Sequence, residues 1–168
     1  CVMERITHME TERLTLSEVS LNDTDFIFYL LNTPQWIKYI GDKNIQTKND
    51  AAAYIQKIKE NTAANYWVVK LKEDHTPLGI VTFMKRDYLD HHDIGFAFLP
   101  QYGKKGYAFE ASKKLLDEVS SQHKVIVATV LPDNPNSIQL IQKLGLQFEK
   151  EIDVNDEHVL LYSILTGK

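Results

Sequence analysis

Across its 168 residues the chain is 43% hydrophobic and 25% charged, with a formal net charge of −4. That length suits one domain burying about 70% of the surface its unfolded form exposes, and the composition excludes disorder. The acidic balance excludes a general basic field for nucleic acid or anionic lipid, and no apolar run approaches the roughly 20 residues of a membrane span.

At the start of the chain, Cys1 is the only cysteine, so no internal disulfide and no Cys-based metal site is expected. Residues 1–10 are set aside as an N-terminal tail or processed end, and 11–168 are expected to form a single domain. The first residues lack the apolar core of a signal peptide, which predicts a cytoplasmic protein. Residues 13–19 alternate apolar and polar side chains and predict a strand. Asn22 to Asp25 supply N-cap chemistry for a short helix over 26–31, which Pro34 limits. Thr47 opens a second helix that carries Ala53, Ile55 and Ile58 near its buried stripe.

Aromatic and β-branched residues predict strands at 66–71, 79–84 and 93–99, an antiparallel meander joined by short connections. Residues 106–121 place Ala108, Ala111, Leu115 and Val119 on one helical face. The nearly all-apolar run 125–131 reads as a strand buried on both faces, parallel to its neighbour. Asn136 or Ser137 is expected to cap a helix over 138–144 that stops at Gly145, and two last strands follow at 148–154 and 158–165. The order predicts an α/β fold with a mixed sheet flanked by helices.

Residues 93–111 carry the chemistry. A hydrophobic strand ends at Pro100, a loop with Gly103, Lys104, Lys105 and Gly106 follows, and a helix begins at once. That arrangement aims backbone N–H groups at one spot, at the positive end of a helix dipole, and suits phosphate or diphosphate. The glycines admit an anion close to the backbone, and Ala108 is small enough to leave the first turn open. The plainer reading is a glycine-containing connection. The segment fits neither GxxxxGK[ST] nor GxGxxG, so a P-loop or dinucleotide site is not expected.

Ile94-Gly95-Phe96-Ala97-Phe98-Leu99-Pro100, then Gly106-Tyr107-Ala108-Phe109-Glu110-Ala111, form one block. Val127 to Val130, Asn134, Ser137 and Lys143-Leu144-Gly145-Leu146 form a second. In these residues the chain resembles the GNAT superfamily of N-acetyltransferases, and within it the ribosomal-protein alanine N-acetyltransferase branch. The resemblance spans about residues 10–165. It implies a sheet of about seven strands flanked by four helices, with the fourth and fifth strands (93–99 and 125–131) splayed apart. It also implies acetyl-CoA as co-substrate. The diphosphate would lie on Gly103, Lys104, Lys105, Gly106, Tyr107 and Ala108. The pantetheine arm would run along Phe96, Ala97, Phe98 and Leu99, with Asn134 facing the pantetheine side and Ser137 near the thioester. The family usually has a bulky or basic residue at Gly103 and glycine at Lys104.

Acetyl transfer by direct attack needs a neutral amine, a polarised carbonyl and a stabilised thiolate. Asp93 is the candidate base, or else merely begins a strand after a polar turn. His91 and His92 titrate near neutrality or belong to an exposed turn. Ser137 either hydrogen-bonds the departing sulfur or caps its helix, and Glu110 reads as a structural group. By family analogy the N–H near Phe98 contacts the oxyanion. Trp36 and Tyr39 wall the amine acceptor's pocket or anchor the core. Glu151, Asp153, Asp156 and Glu157 attract a cationic amine or form a solvated face. The His91-His92 pair lacks further metal ligands, so no metal is expected. A monomer or a homodimer both remain open. The competing function is a non-catalytic acyl-CoA-binding regulatory module.

Overall fold

A computed structural model of the chain describes residues 5–166. Its strands are β1 (His8–Glu10), β2 (Leu14–Glu18), β3 (Ala64–Leu71), β4 (Pro77–Met84), β5 (Asp93–Phe98), β6 (Val125–Val130), β7 (Gln147–Val154) and β8 (Glu157–Leu165). The α-helices are α1 (Thr24–Leu31), α2 (Pro34–Tyr39), α3 (Lys48–Glu60), α4 (Tyr107–Val119) and α5 (Pro135–Lys143). All eight strands join one mixed sheet, in the order β1-β2-β3-β4-β5-β6-β8-β7.

The expected α/β mixed sheet is present, with three departures. The first is the extra strand β1, which lies inside the segment set aside as a tail. Met9 pairs with Leu16 and is buried, while the Trp67 indole donates to the Ile6 carbonyl at 2.9 Å. Three residues are too few to show a period, so their pairing was not legible. The second is α2. Pro34 does not only end α1; it occupies the first turn of a new helix, where its missing N–H costs nothing. Thr33 caps that helix by accepting from Trp36 N at 3.3 Å. The third is the start of α5. Asn134, not Asn136 or Ser137, is its N-cap, because Pro135 sets the helical φ one residue later.

One face of the sheet packs α4 and α5. Leu14, Leu16, Val81, Phe83 and Ile94 meet Ala111, Leu115, Val119 and Ile141 there. The other face packs α1, α2 and α3, where Val68 and Ile80 meet Ile27, Leu30, Trp36, Ala51 and Ile55. Successive side chains of a strand point to opposite faces, so β5 sends Ile94, Phe96 and Phe98 toward α4. Asp93, Gly95 and Ala97 project toward α3.

β5 and β6 are parallel neighbours joined through α4, and only Asp93 and Val127 are in register. The Val127 N–H donates to the His92 carbonyl at 3.0 Å. Beyond that point the strands part, so the expected splay is present. No helix among the described residues is long and apolar enough to cross a membrane.

Candidate active site

The parting of β5 from β6 leaves backbone groups of β5 without a strand partner. Which groups these are follows from strand geometry. The Leu99 N–H donates back to Leu78 of the β4 side at 2.9 Å. Alternate residues face opposite edges, so Phe96 and Phe98 turn their N–H and C=O groups into the gap. Ala97 and Leu99 turn theirs toward β4. Of the four residues expected to line a pantetheine arm, two therefore supply the main-chain edge. Ala97 and Leu99 instead join the core on the α3 face.

The loop that follows is a short 3-10 turn at Pro100–Tyr102 and then the start of α4. The Gly103 N–H is already spent on the Pro100 carbonyl at 3.0 Å, which removes it from the expected cradle. Lys104 (φ 63°) and Gly106 (φ 80°) both take the left-handed conformation. Alternation of this kind turns consecutive N–H groups inward into a nest. The N–H groups of Lys104, Lys105, Gly106, Tyr107 and Ala108 have no hydrogen-bond partner among the described residues, and α4 has no side-chain N-cap. They therefore stand free at the positive end of a 13-residue helix.

The base of α4 is held from behind. Glu110 accepts from Thr11 Oγ1 at 2.5 Å, Arg13 Nε at 2.7 Å and Arg13 N at 3.1 Å. Burial opposes its ionisation, but the bonds from Thr11 and Arg13 win and hold the carboxyl below the usual range. The Arg13 guanidinium also lies over the Tyr107 ring, 4.4 Å from its centre. Glu110 is thus structural, as expected.

Asp93 sits at the vertex where the strands part, with its side chain 6% exposed. The Arg86 Nε donates to its Oδ2 at 2.8 Å, and Oδ1 is buried without a hydrogen bond. Burial raises the Asp93 pKa; Arg86 opposes the rise without cancelling it. The Arg86 pKa is also raised, by Asp93 against burial, so the two partners pull in opposite senses. The carboxyl's upward shift is the firmer direction, since one of its oxygens has no donor at all. Sequence reasoning missed Arg86. The signal was its position two residues beyond β4, across a hairpin from Asp93, in a strand pair where Met84 faces Asp93. On the same face, Tyr66 and Thr82 pair across β3 and β4, and Thr82 in turn pairs with Gly95. A Cβ on Gly95 would lie 2.6 Å from Thr82 Oγ1, so any larger residue here would displace that hydroxyl. Burial, followed by the nearby Tyr66, pushes the phenol of Tyr54 of α3 up.

Asn134 spends its Oδ1 on the Ser137 N–H at 3.4 Å. Ser137, in the first turn of α5 rather than at its cap, keeps a partly buried hydroxyl. Trp36 is a core residue, 5% exposed, although its Nε1–H has no partner. Tyr39 is half-buried, and its hydroxyl donates to the Asp133 carbonyl at 3.3 Å, tying α2 to the loop that leads into α5. His91 is exposed. His92 stacks on Phe83 with ring centres 5.0 Å apart, and His123 lies 4.4 Å from His92. Those rings face a groove of about 970 Å³ at the other end of β5 from the loop, so they lie apart from the cradle. Glu151 and Asp153 are taken up by His158, at 2.8 and 2.9 Å. Among the described residues no group of three or more His, Cys, Asp or Glu side chains could hold a metal ion. Cys1 lies outside the described residues.

The profile of the Acetyltransferase (GNAT) domain matches residues 13–147. The chain is 31% identical over 147 residues to the uncharacterised N-acetyltransferase YnaD of Bacillus subtilis (strain 168), covering 84% of each. Among solved structures it is similar to a GNAT-family acetyltransferase from Bacillus anthracis, with 26% identity and TM-score 0.79 over 95% of this chain and 98% of that one. At 20% identity it shares the fold of the Vibrio cholerae spermidine N-acetyltransferase in complex with CoA and spermine, with TM-score 0.77 over 93% and 97%. Splayed central strands, an open N–H cradle on α4 and these likenesses agree: the chain belongs to the GNAT family of acetyltransferases.

Proposed function

We propose that this protein moves the acetyl group of acetyl-CoA onto a primary amine by direct attack in a ternary complex. The observation that carries the reading is the coincidence, on one sheet edge, of an unpaired β5 backbone and a loop of free N–H groups. The N–H groups of Lys104 to Ala108 suit a diphosphate. The edge of Phe96 and Phe98 suits an extended amide-bearing arm, which pairs as a strand would. Both features together fit CoA, and the CoA complex of the spermidine N-acetyltransferase supports that match.

The chemistry then falls to few groups. Asp93 accepts a proton from the amine, directly or through a water, and its raised pKa brings it nearer the working pH of a base. The Phe98 N–H faces the gap and stabilises charge on the carbonyl oxygen. Ser137 lends its hydroxyl to the departing sulfur. Direct attack requires no covalent nucleophile, so the rate rests mainly on holding amine and thioester in line.

Incubating the protein with acetyl-CoA and a panel of amines tests this, with CoA thiol release and product mass as readouts. Acetylation of an amine is expected. Binding of acetyl-CoA with no product above background would instead identify a non-catalytic acyl-CoA-binding module.

A further inference from the structure

Among the described residues the Arg86 side chain makes one hydrogen bond, from Nε to Asp93 Oδ2. That bond fixes the plane of the guanidinium, and both Nη groups are left without a hydrogen-bond partner among the described residues. The side chain is 41% exposed, so a ligand can reach it from solvent. The free edge of a guanidinium is a fork whose spacing matches a carboxylate in two parallel bonds. Immediately beside it, Asp93 Oδ1 is buried and has no donor. The vertex therefore presents an oriented cation and a hydrogen-bond-starved carboxyl side by side, on the sheet face that α3 covers.

A ligand that satisfies both must carry a positive nitrogen and an anion only a few ångströms apart. A polyamine satisfies Asp93 alone and sets further positive charge against Arg86. We propose that Arg86 selects the acceptor, and that the amine acetylated here bears a carboxylate close to its nitrogen, as a free α-amino acid does. The Nη1 and Nη2 groups of Arg86 hold that carboxylate while Asp93 receives the amine proton. This rests on the proposed amine acetylation. In that step the amine nitrogen bonds to the thioester carbonyl carbon, the carbon–sulfur bond breaks, one amine proton passes to Asp93, and the leaving thiolate takes up a proton to give CoA.

The test uses the wild-type protein with acetyl-CoA and four acceptor types. These are single α-amino acids, their primary amides, spermidine, and a short peptide with a free N-terminus. At least one amino acid is expected to exceed its own amide in kcat/KM by about tenfold, the scale of one lost paired contact. The amide's amine is the less basic and so the more fully neutral at pH 7.5, which makes intrinsic reactivity run against this result. In Arg86→Gln the KM for that amino acid is expected to rise about tenfold, with the amide's KM held within about twofold. An amide equal to its acid, or an unchanged KM in the variant, would overturn the proposal. Turnover of spermidine or the peptide alone would overturn it while leaving amine acetylation standing. Turnover of nothing in the panel would overturn both. The wild-type comparison decides the matter even if the variant does not fold.

Discussion

Asp93 and Val127 are the one registered pair between the parallel strands β5 and β6, so the carboxyl stands where the sheet begins to open. Its oxygens are treated unequally: Oδ2 is held by Arg86, and Oδ1 is buried without a donor. From this vertex to the α4 cradle, the gap is bounded by the β5 backbone.

Asp93→Asn separates chemistry from stability. Loss of the base is expected to lower kcat by about 100-fold, with the KM for acetyl-CoA little changed. The stability effect runs the other way. Because the folded pKa is raised, Asp93 favours the fold when protonated; that contribution is complete below the unfolded value near 4 and is lost as pH rises through the folded value. At pH 7 the neutral asparagine is therefore expected to melt no lower than wild type. Steady-state kinetics and thermal melts check both halves, and an unchanged kcat would remove Asp93 as the base.

The left-handed loop gives a pair of opposite substitutions. Lys104 has φ 63°, a conformation costing an L-residue roughly 1–2 kcal/mol that glycine avoids. Lys104→Gly is expected to raise stability by about 1 kcal/mol and to preserve acetyl-CoA binding. Gly106→Val places a β-branched residue at φ 80°, with its Cβ 3.5 Å from Arg13 Nη2, so the loop must shift to relieve the strain, and the change is expected to lower stability and abolish binding. Calorimetric titration with acetyl-CoA and melting curves measure the two. Full affinity in Gly106→Val would count against the cradle.

Glu110 anchors the helix behind that cradle. Glu110→Ala leaves Thr11 and the Arg13 N–H without their acceptor, at a cost of about 1–3 kcal/mol. Its folded pKa is depressed, so its contribution is present above the unfolded value near 4 and lost as pH falls through the folded one. The loss in the variant is expected to be full at pH 7 and to shrink toward pH 3. A higher KM for acetyl-CoA should accompany it, because the first turn of α4 loses its tether. Equal destabilisation at both pH values would argue against the carboxylate as the anchor.

His92 and His123 set the acid response of the other end of the sheet. Burial lowers both pKa values, and His123 and Lys85 lower that of His92 further. The unfolded chain then binds more protons than the fold, so stability present above the unfolded value near 6.5 is lost as pH falls below it. His92→Phe keeps the stacking on Phe83 and removes one titration. Its melting temperature is expected to fall less than that of wild type between pH 7 and 5. The exposed His158, whose pKa Asp153 and Glu151 raise, acts in the opposite sense but equally in both proteins. Parallel pH curves would rule out His92 as a contributor.

Much of this architecture was legible because it is local. The alternation in 13–19, the helical face of Ala111, Leu115 and Val119, and the apolar run at 125–131 each declare their element within a dozen residues. The misreadings have equally local causes. Pro34 and Pro135 both open helices, whereas a proline in sequence alone reads as readily as a helix limit. β1 is too short for a period, and only Leu16 beside Met9 and the Trp67 indole beneath Ile6 reveal it.

By itself, the sequence determined the element types, the glycine loop ahead of a helix and the order of blocks that marks the GNAT family, since each depends on neighbours in the chain. Tertiary structure decided which donors remain free. The Gly103 N–H is consumed by Pro100, Asn134 by the α5 cap, and the main chains of Ala97 and Leu99 by their orientation toward β4. It also decided that Arg86 meets Asp93, a contact made across the hairpin between β4 and β5. Pairings of that kind are set by how a hairpin twists and what a neighbouring strand excludes, and those are properties of the assembled sheet.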